Sequence, residues 1–229
     1  MIMDTSIPLI PYALPFGGQS ALMVTLKQNP VQALKDLESG EVSLEEINHQ
    51  NSGKWTALMY VCRNSCKISN SAVLIQKLLD LGANVNLKMA DDFTALILTC
   101  SSSNTDDKAA EILLKHPGIE VNHFTSSGYD TALTFACHNG FTKRVEMLMK
   151  HPKIDIKIKP NGGIDAFKTV ISFCPKGSMP AILKLFCQHP QFDMATTMSF
   201  DTHAIKALSS YHQTKLLEIF SVSTLAKII

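Results

Sequence analysis

Cys137, His138 and Asn139 stand side by side in the stretch TALTFACHNG, residues 131 to 140. A thiol, an imidazole and an amide are the groups with which a cysteine hydrolase supplies its nucleophile, its base and the orienter of that base. Their adjacency argues against that use. On a helix, consecutive side chains point about 100° apart, so the sulfur and the neighbouring ring cannot readily share a proton. Cysteine is also among the residues most often wholly buried. Core packing is therefore the leading reading. The alternative is a small cysteine-dependent hydrolase or transferase using Cys137 or a histidine beside the polar inserts RNSCKISNS and SSSNTDD.

Other constellations are equally bland. No Gly-rich phosphate loop, HExxH helix or GxSxG elbow occurs, and Gly162-Gly163 reads as a turn. Asp91 with Asp92, and Asp106 with Asp107, fall in loop-like sequence and are expected to be solvated or to cap helices. His116, His151 and His189 each precede a proline. There an imidazole suits the negative end of a helix dipole, and the proline stops the helix. Cys62, Cys100 and Cys137 each lie six residues after a threonine. Across helices packed about 8–10 Å apart they are too distant for a disulfide or a shared zinc ion. No cofactor or metal is expected. The Met residues read mostly as gap fillers.

The 229 residues hold 21 Lys plus Arg against 20 Asp plus Glu, with 45% apolar and 18% charged residues. A balance this close to neutral offers no field for nucleic acid. Six cysteines without a CxxC pair suit a reducing, cytoplasmic compartment. The start, MIMDTSIPLIPYALPFGG, is apolar but broken by Pro8, Pro11 and Pro15, and it lacks Lys and Arg. It makes a poor secretion signal and a better extended arm, residues 1 to 19, covering an apolar edge. No stretch reaches the roughly 18 apolar residues of a membrane span. A monomer is favoured over an oligomer, with self-assembly through the arm or tail as a further alternative.

These residues must be positioned by elements, and the elements repeat. SALMVTL from Ser20, TALMYVC from Thr56, TALILTC from Thr94, TALTFAC from Thr131, DAFKTVI from Asp165 and HAIKALS from His203 begin 34 to 38 residues apart. Each is followed by a second apolar block, such as VLIQKLLDLGANVN or RVEMLMKHPKIDIK. Thr56, Thr94 and Thr131 are placed to cap first helices, Val73, Ile75, Leu78 and Leu79 follow helical spacing, and Gly82 ends its helix. One unit thus reads helix, turn, helix, extended loop. The approximate units are 20–50, 51–89, 90–125, 126–160, 161–198 and 199–229, the end ones degenerate.

TALMYVC, LLDLGANVN, LLKHPGIEVN and LMKHPKIDIK resemble the ankyrin repeat family and its T-P-L-H-x-A signature. The resemblance covers roughly residues 20 to 229. It departs where Ala57, Ala95 and Ala132 replace the usual proline, and where no histidine follows Leu58, Leu96 or Leu133. It implies an all-α solenoid of stacked helix-turn-helix units with extended hairpin loops, and a concave face of loop tips and first helices that binds protein partners. On that face the resemblance places Trp55, Tyr60, Arg63, Asn64, Phe93, Tyr129, Asp130, His138 and Asn139, with Ser172 and Phe173 on the same side. Trp, Tyr and Arg are favoured anchors there, although Trp55 and Phe93 also suit packing between hairpins. The implied function is a non-enzymatic scaffold or adaptor. The wording of the repeats also looks like arrays in protists, giant DNA viruses and intracellular bacteria, some of which act on host proteins, so a host-directed effector in the host cytosol is a narrower expectation.

Overall fold

A computed structural model describes residues 17–126, 130–159 and 164–192. Most of the expected arm, Tyr129, the Gly162-Gly163 turn, the segment from His203 and the unit 199–229 lie outside the described residues. Within them the secondary structure is helical, with no strand and one isolated bridge between Phe124 and Thr131.

The chain divides into two compact units, residues 1–119 and 120–229. The first contains α1 (Ala21–Gln28), α2 (Pro30–Ser39), α3 (Leu44–Ile47), α4 (Ala57–Arg63), α5 (Ser71–Asp80), α6 (Ala95–Ser101) and α7 (Asp107–Lys115). The second contains α8 (Ala132–His138), α9 (Thr142–Met149), α10 (Ala166–Phe173) and α11 (Met179–Gln188). In the first unit α1, α4 and α6 stack in order, as do α2, α5 and α7, while α1/α2, α4/α5 and α6/α7 form hairpins. In the second, α8 packs on α10 and α9 on α11. First helices are so short that side chains alone must start them. Ser20, Thr56, Thr94, Thr131 and Asp165 each accept a hydrogen bond from the backbone N–H three residues on. Thr131 adds a reciprocal bond, its own N–H donating to Thr134 Oγ1 at 2.8 Å. Replacing Thr94 by Ala is expected to cost about 1 kcal/mol, and Thr94→Ser much less, as measured by urea denaturation.

The burial of the helices follows from stacking: α4 and α6 are buried without a break from Ala57 to Cys62 and from Ala95 to Cys100. Leu58, Val61 and Cys62 of α4 and Leu96, Ile97 and Cys100 of α6 lie in the core. The second helices contribute Leu74, Ile75 and Leu78, then Ala110 and Leu113. Gly82 takes φ 91° after α5, and a Cβ there would come 2.9 Å from Leu44 Cδ1. The left-handed backbone favours glycine, whereas Leu44, an exposed side chain, could turn aside.

Side chains also tie successive loops together. Asn48 Nδ2 donates to Gly82 O at 3.0 Å while its Oδ1 accepts from Asn84 N at 2.7 Å. Asn86 Nδ2 donates to Gly118 O at 2.7 Å. In the second unit Asn122 makes the same two-sided bridge, to Lys153 O at 2.7 Å and from Asp155 N at 3.0 Å. Lys157 stands at the corresponding place of the following loop and cannot accept such a bond. There the bridge comes from the other side: Gln191 donates to Ile154 O at 3.0 Å and accepts from Ile156 N at 3.2 Å.

The short α3 is absent from the sequence reading of helix pairs. Ser43 caps it, Ile47 anchors it in the core, and Glu46 Oε1 accepts from Leu22 N at 2.8 Å. It thereby satisfies one of the free amides of α1.

The three His-Pro turns have a chemistry different from the expected dipole interaction. His116, His151 and His189 each accept, through Nδ1 at 3.2 Å, a backbone N–H two residues on. An Nδ1 that accepts is a feature of the neutral ring, which has a lone pair there. At His151 burial, helped by the charge of Lys153, holds the ring pKa below its ordinary value. The unfolded chain then binds protons more readily than the folded one. The stabilisation is complete above about pH 6.5 and is lost as the pH falls through the lowered folded value. His151→Asn keeps a side-chain acceptor for the Lys153 amide without titrating. The melting midpoint of this variant is expected to fall less than that of the parent between neutral and mildly acidic pH.

Candidate functional site

The residues expected on the binding face come from the loops before the first helices and from the last turns of those helices. Two of them need correction, because the structure buries Trp55 to 3% exposure and Tyr60 to 7%. Trp55 sits where the loop folds back on itself: its N–H donates to Asn51 Oδ1 at 2.9 Å, and its carbonyl accepts from Asn51 N at 3.1 Å. The next loop closes above it through Ala90 N to Gly53 O, with Met89 also buried. A large apolar ring in such a fold gains more from the core than from water. Burial likewise pushes the Tyr60 phenol above its ordinary pKa.

Arg63, Asn64 and Phe93 of the first unit, and Asp130, His138 and Asn139 of the second, remain partly exposed. Their polar groups are already engaged. Arg63 Nη1 donates to Ser102 Oγ, and burial lowers the guanidinium pKa. Asn64 Nδ2 donates to Tyr60 O, and Asn139 Nδ2 to Phe135 O, each at 2.9 Å. The two asparagines thus close the ends of α4 and α8 by the same device. The carboxyl of Asp130 is pushed up by burial, against the pull of Thr134 and of His138. His138 lies beside Phe173, ring centroids 5.5 Å apart, and Phe173 is 54% exposed at the end of α10.

The polar inserts between paired helices hold each other. Cys66 N donates to Asn104 O at 3.2 Å, and Asp106 N to Ser65 Oγ at 2.7 Å. Together with the Arg63 to Ser102 bond, they form one braced surface of the first unit.

The thiol alternative finds no geometry to support it. Cys62, Cys100 and Cys137 have no exposed surface, and none of the six cysteines forms a disulfide. Burial pushes the Cys62 thiol up to about 12 despite a hydrogen bond to Thr99. A nucleophilic thiol needs the opposite shift together with access to substrate. Among the described residues no His, Cys, Asp or Glu group is arranged to hold a metal ion, and no helix is long and apolar enough to cross a membrane.

Sequence reasoning missed the asparagine bridges and Arg144. That arginine is buried to 5%, its guanidinium 4.3 Å from the Phe141 ring centroid. The bridges had a legible signal: Asn48, Asn86 and Asn122 recur eight or nine residues before the capping threonines. Arg144 had none beyond its aromatic neighbour three residues earlier.

Comparison with known proteins agrees with this architecture. Residues 65–160 match a family model described as ankyrin repeats in three copies. Among solved structures, the crystal structure of EF0377, an ankyrin repeat protein, superposes with a TM-score of 0.63. It is 20% identical, and the match covers 78% of this chain and 84% of that one. No curated protein matches.

Proposed function

We propose, on the premise that this chain belongs to the ankyrin repeat family, that it is a non-enzymatic scaffold whose units each offer a protein partner the surface built from their first helices and the loops before them. Ankyrin repeats are in general protein-interaction modules. The observation that carries the reading is the division of labour along each first helix. The capping residue and the body of the helix are buried, without a break from Ala57 to Cys62 in α4, while the C-terminal end leaves Arg63 and Asn64, His138 and Asn139, and the ring of Phe173 partly or fully open. Those side chains are held by hydrogen bonds and ring contacts, so a partner meets groups already ordered and loses less entropy on binding. Phe93 and Asp130 extend the proposed face, with Tyr129 as its expected loop member; Trp55 and Tyr60 support it from beneath. Six cysteines outside any disulfide support a cytosolic setting, and action on a host protein is the narrowest form of the proposal.

The test is quantitative capture. Tagged chain is mixed with lysate, and the protein enriched over a scrambled-surface control is purified and its affinity measured. Arg63→Ala and His138→Ala are each expected to weaken that complex by about five- to thirtyfold, corresponding to about 1–2 kcal/mol, with unchanged circular dichroism. Unchanged affinity in both variants removes this face from the proposal.

A further inference from the structure

We propose that the second unit carries a docking ridge for an acidic, extended peptide segment, built from the successive loops at 122–124 and 153–157. The inference rests on the reading of the chain as a protein-binding scaffold and deepens it, naming a partner chemistry for the loops before α8 and α10.

Three observations converge on it. The first is contiguity: the two Asn122 bonds, to Lys153 O and from Asp155 N, hold the loops edge to edge. Gln191 clamps the far side of the second loop through Ile154 O and Ile156 N. The second is orientation. Ile154 and Ile156 are each 5% exposed, so the intervening Lys153, Asp155 and Lys157 all turn to water. On the neighbouring loop Phe124 is 38% exposed and lies beside the His123 ring. An exposed aromatic ring on one loop and exposed lysines on the next offer the two kinds of contact that an acidic peptide with interspersed apolar residues fits.

The third observation is charge. The chain as a whole is nearly neutral, but its charges are sorted. Residues 1–119 hold 9 Lys plus Arg against 12 Asp plus Glu, whereas residues 120–229 hold 12 against 8. Between positions 150 and 159 there are four lysines and a single acid, Asp155. Lys150 is paired with Glu146 at 2.6 Å and Lys159 with Asp165 at 3.3 Å. Lys153 and Lys157 have no carboxylate at ion-pair distance among the described residues, and Asp155 spends one oxygen on the Lys157 amide at 2.9 Å. A nucleic acid would need a longer run of unpaired cations than this ridge provides, so a peptide carboxylate is the better-matched ligand.

Fluorescence anisotropy on the full chain tests the assignment, using a dye-labelled peptide of repeated Glu-Glu-Leu, its Gln-Gln-Leu counterpart and a single-stranded oligonucleotide as probes. The acidic peptide is expected to bind about tenfold tighter than the neutral one and to weaken steeply with salt. Lys153→Glu with Lys157→Glu should erase the preference and Phe124→Ser should weaken both peptides, while Lys27→Glu with Lys35→Glu in the first unit should change neither. Equal binding of both peptides, an unaffected lysine double variant, or tighter binding of the oligonucleotide overturns the ridge. If the partner captured from lysate is weakened by Arg63→Ala and His138→Ala but not by the lysine double variant, the scaffold reading stands and the ridge alone fails.

Discussion

Phe186→Ala is expected to lower the unfolding free energy by about 3–5 kcal/mol, a large share of the roughly 5–15 kcal/mol that holds an ordinary domain together. Phe186 lies on α11 with no exposed surface and meets two other rings, Phe167 at 5.6 Å and Phe192 at 6.2 Å between centroids. Phe167 and Phe192 are 5.0 Å apart, so each ring touches both others. Truncation removes the apolar area of one ring and the edge-to-face contacts of two. The remaining rings sit on α10 and on the turn after α11, whose backbones are fixed by stacking, so the cavity collapses only in part. Phe186→Leu keeps most of the volume and is expected to cost less than half as much. Urea denaturation followed by circular dichroism gives the magnitude, and hydrogen exchange in α10 and α11 gives its location. A loss under about 1 kcal/mol for Phe186→Ala would mean that these rings do not form the core of the second unit.

The helices were legible because their signals are local. A threonine, a few good helix formers and a terminating glycine or His-Pro pair act within one turn of the chain, and the caps of α4, α6 and α8 use the threonines that sequence reading selected, whereas Asn29 and Ser43 cap α2 and α3 without having been selected. Periodic burial was equally readable, since Cys62, Cys100 and Cys137 recur at one position and only a core position imposes that regularity on a small apolar residue. The site was less legible, for a reason that Trp55 and Tyr60 show. A large side chain near the start of a first helix can pack inward or project outward, and the choice depends on the neighbouring loop. Trp55 follows Gly53, to which the loop at Ala90, thirty-seven residues on, bonds through Ala90 N, and no local signal announces that closure. The His-Pro turns fail differently: position and structural role were readable, but whether the ring donates or accepts depends on backbone geometry that composition does not encode.

Thiol accessibility separates scaffold from enzyme more sharply than any activity screen, because it asks about the nucleophile and not about a guessed substrate. Iodoacetamide added to the native protein at pH 8 is expected to label Cys66 and Cys187, the exposed pair, and to leave Cys62, Cys100, Cys137 and Cys174 unmodified over the same interval. Two effects multiply. A thiol pushed up to about 12, as at Cys62, holds only about one part in ten thousand of its population as thiolate at that pH. Cys174, pushed up to about 11 by burial, is tenfold less suppressed. Steric closure adds the larger factor, since a side chain with no exposed surface reacts only when its helix opens, and opening of a core helix occurs in a small fraction of molecules. Cys187 is expected to trail Cys66, because burial raises its pKa and its Sγ lies 3.0 Å from Leu183 O. Labelling in denaturant should equalise all six, which proves that protection comes from folding. Tryptic mass spectrometry assigns each site. Rapid native labelling of Cys137, at the rate of Cys66 or faster, is the outcome that would return TALTFACHNG to the cysteine hydrolases, since neither stacking nor desolvation could then account for that residue.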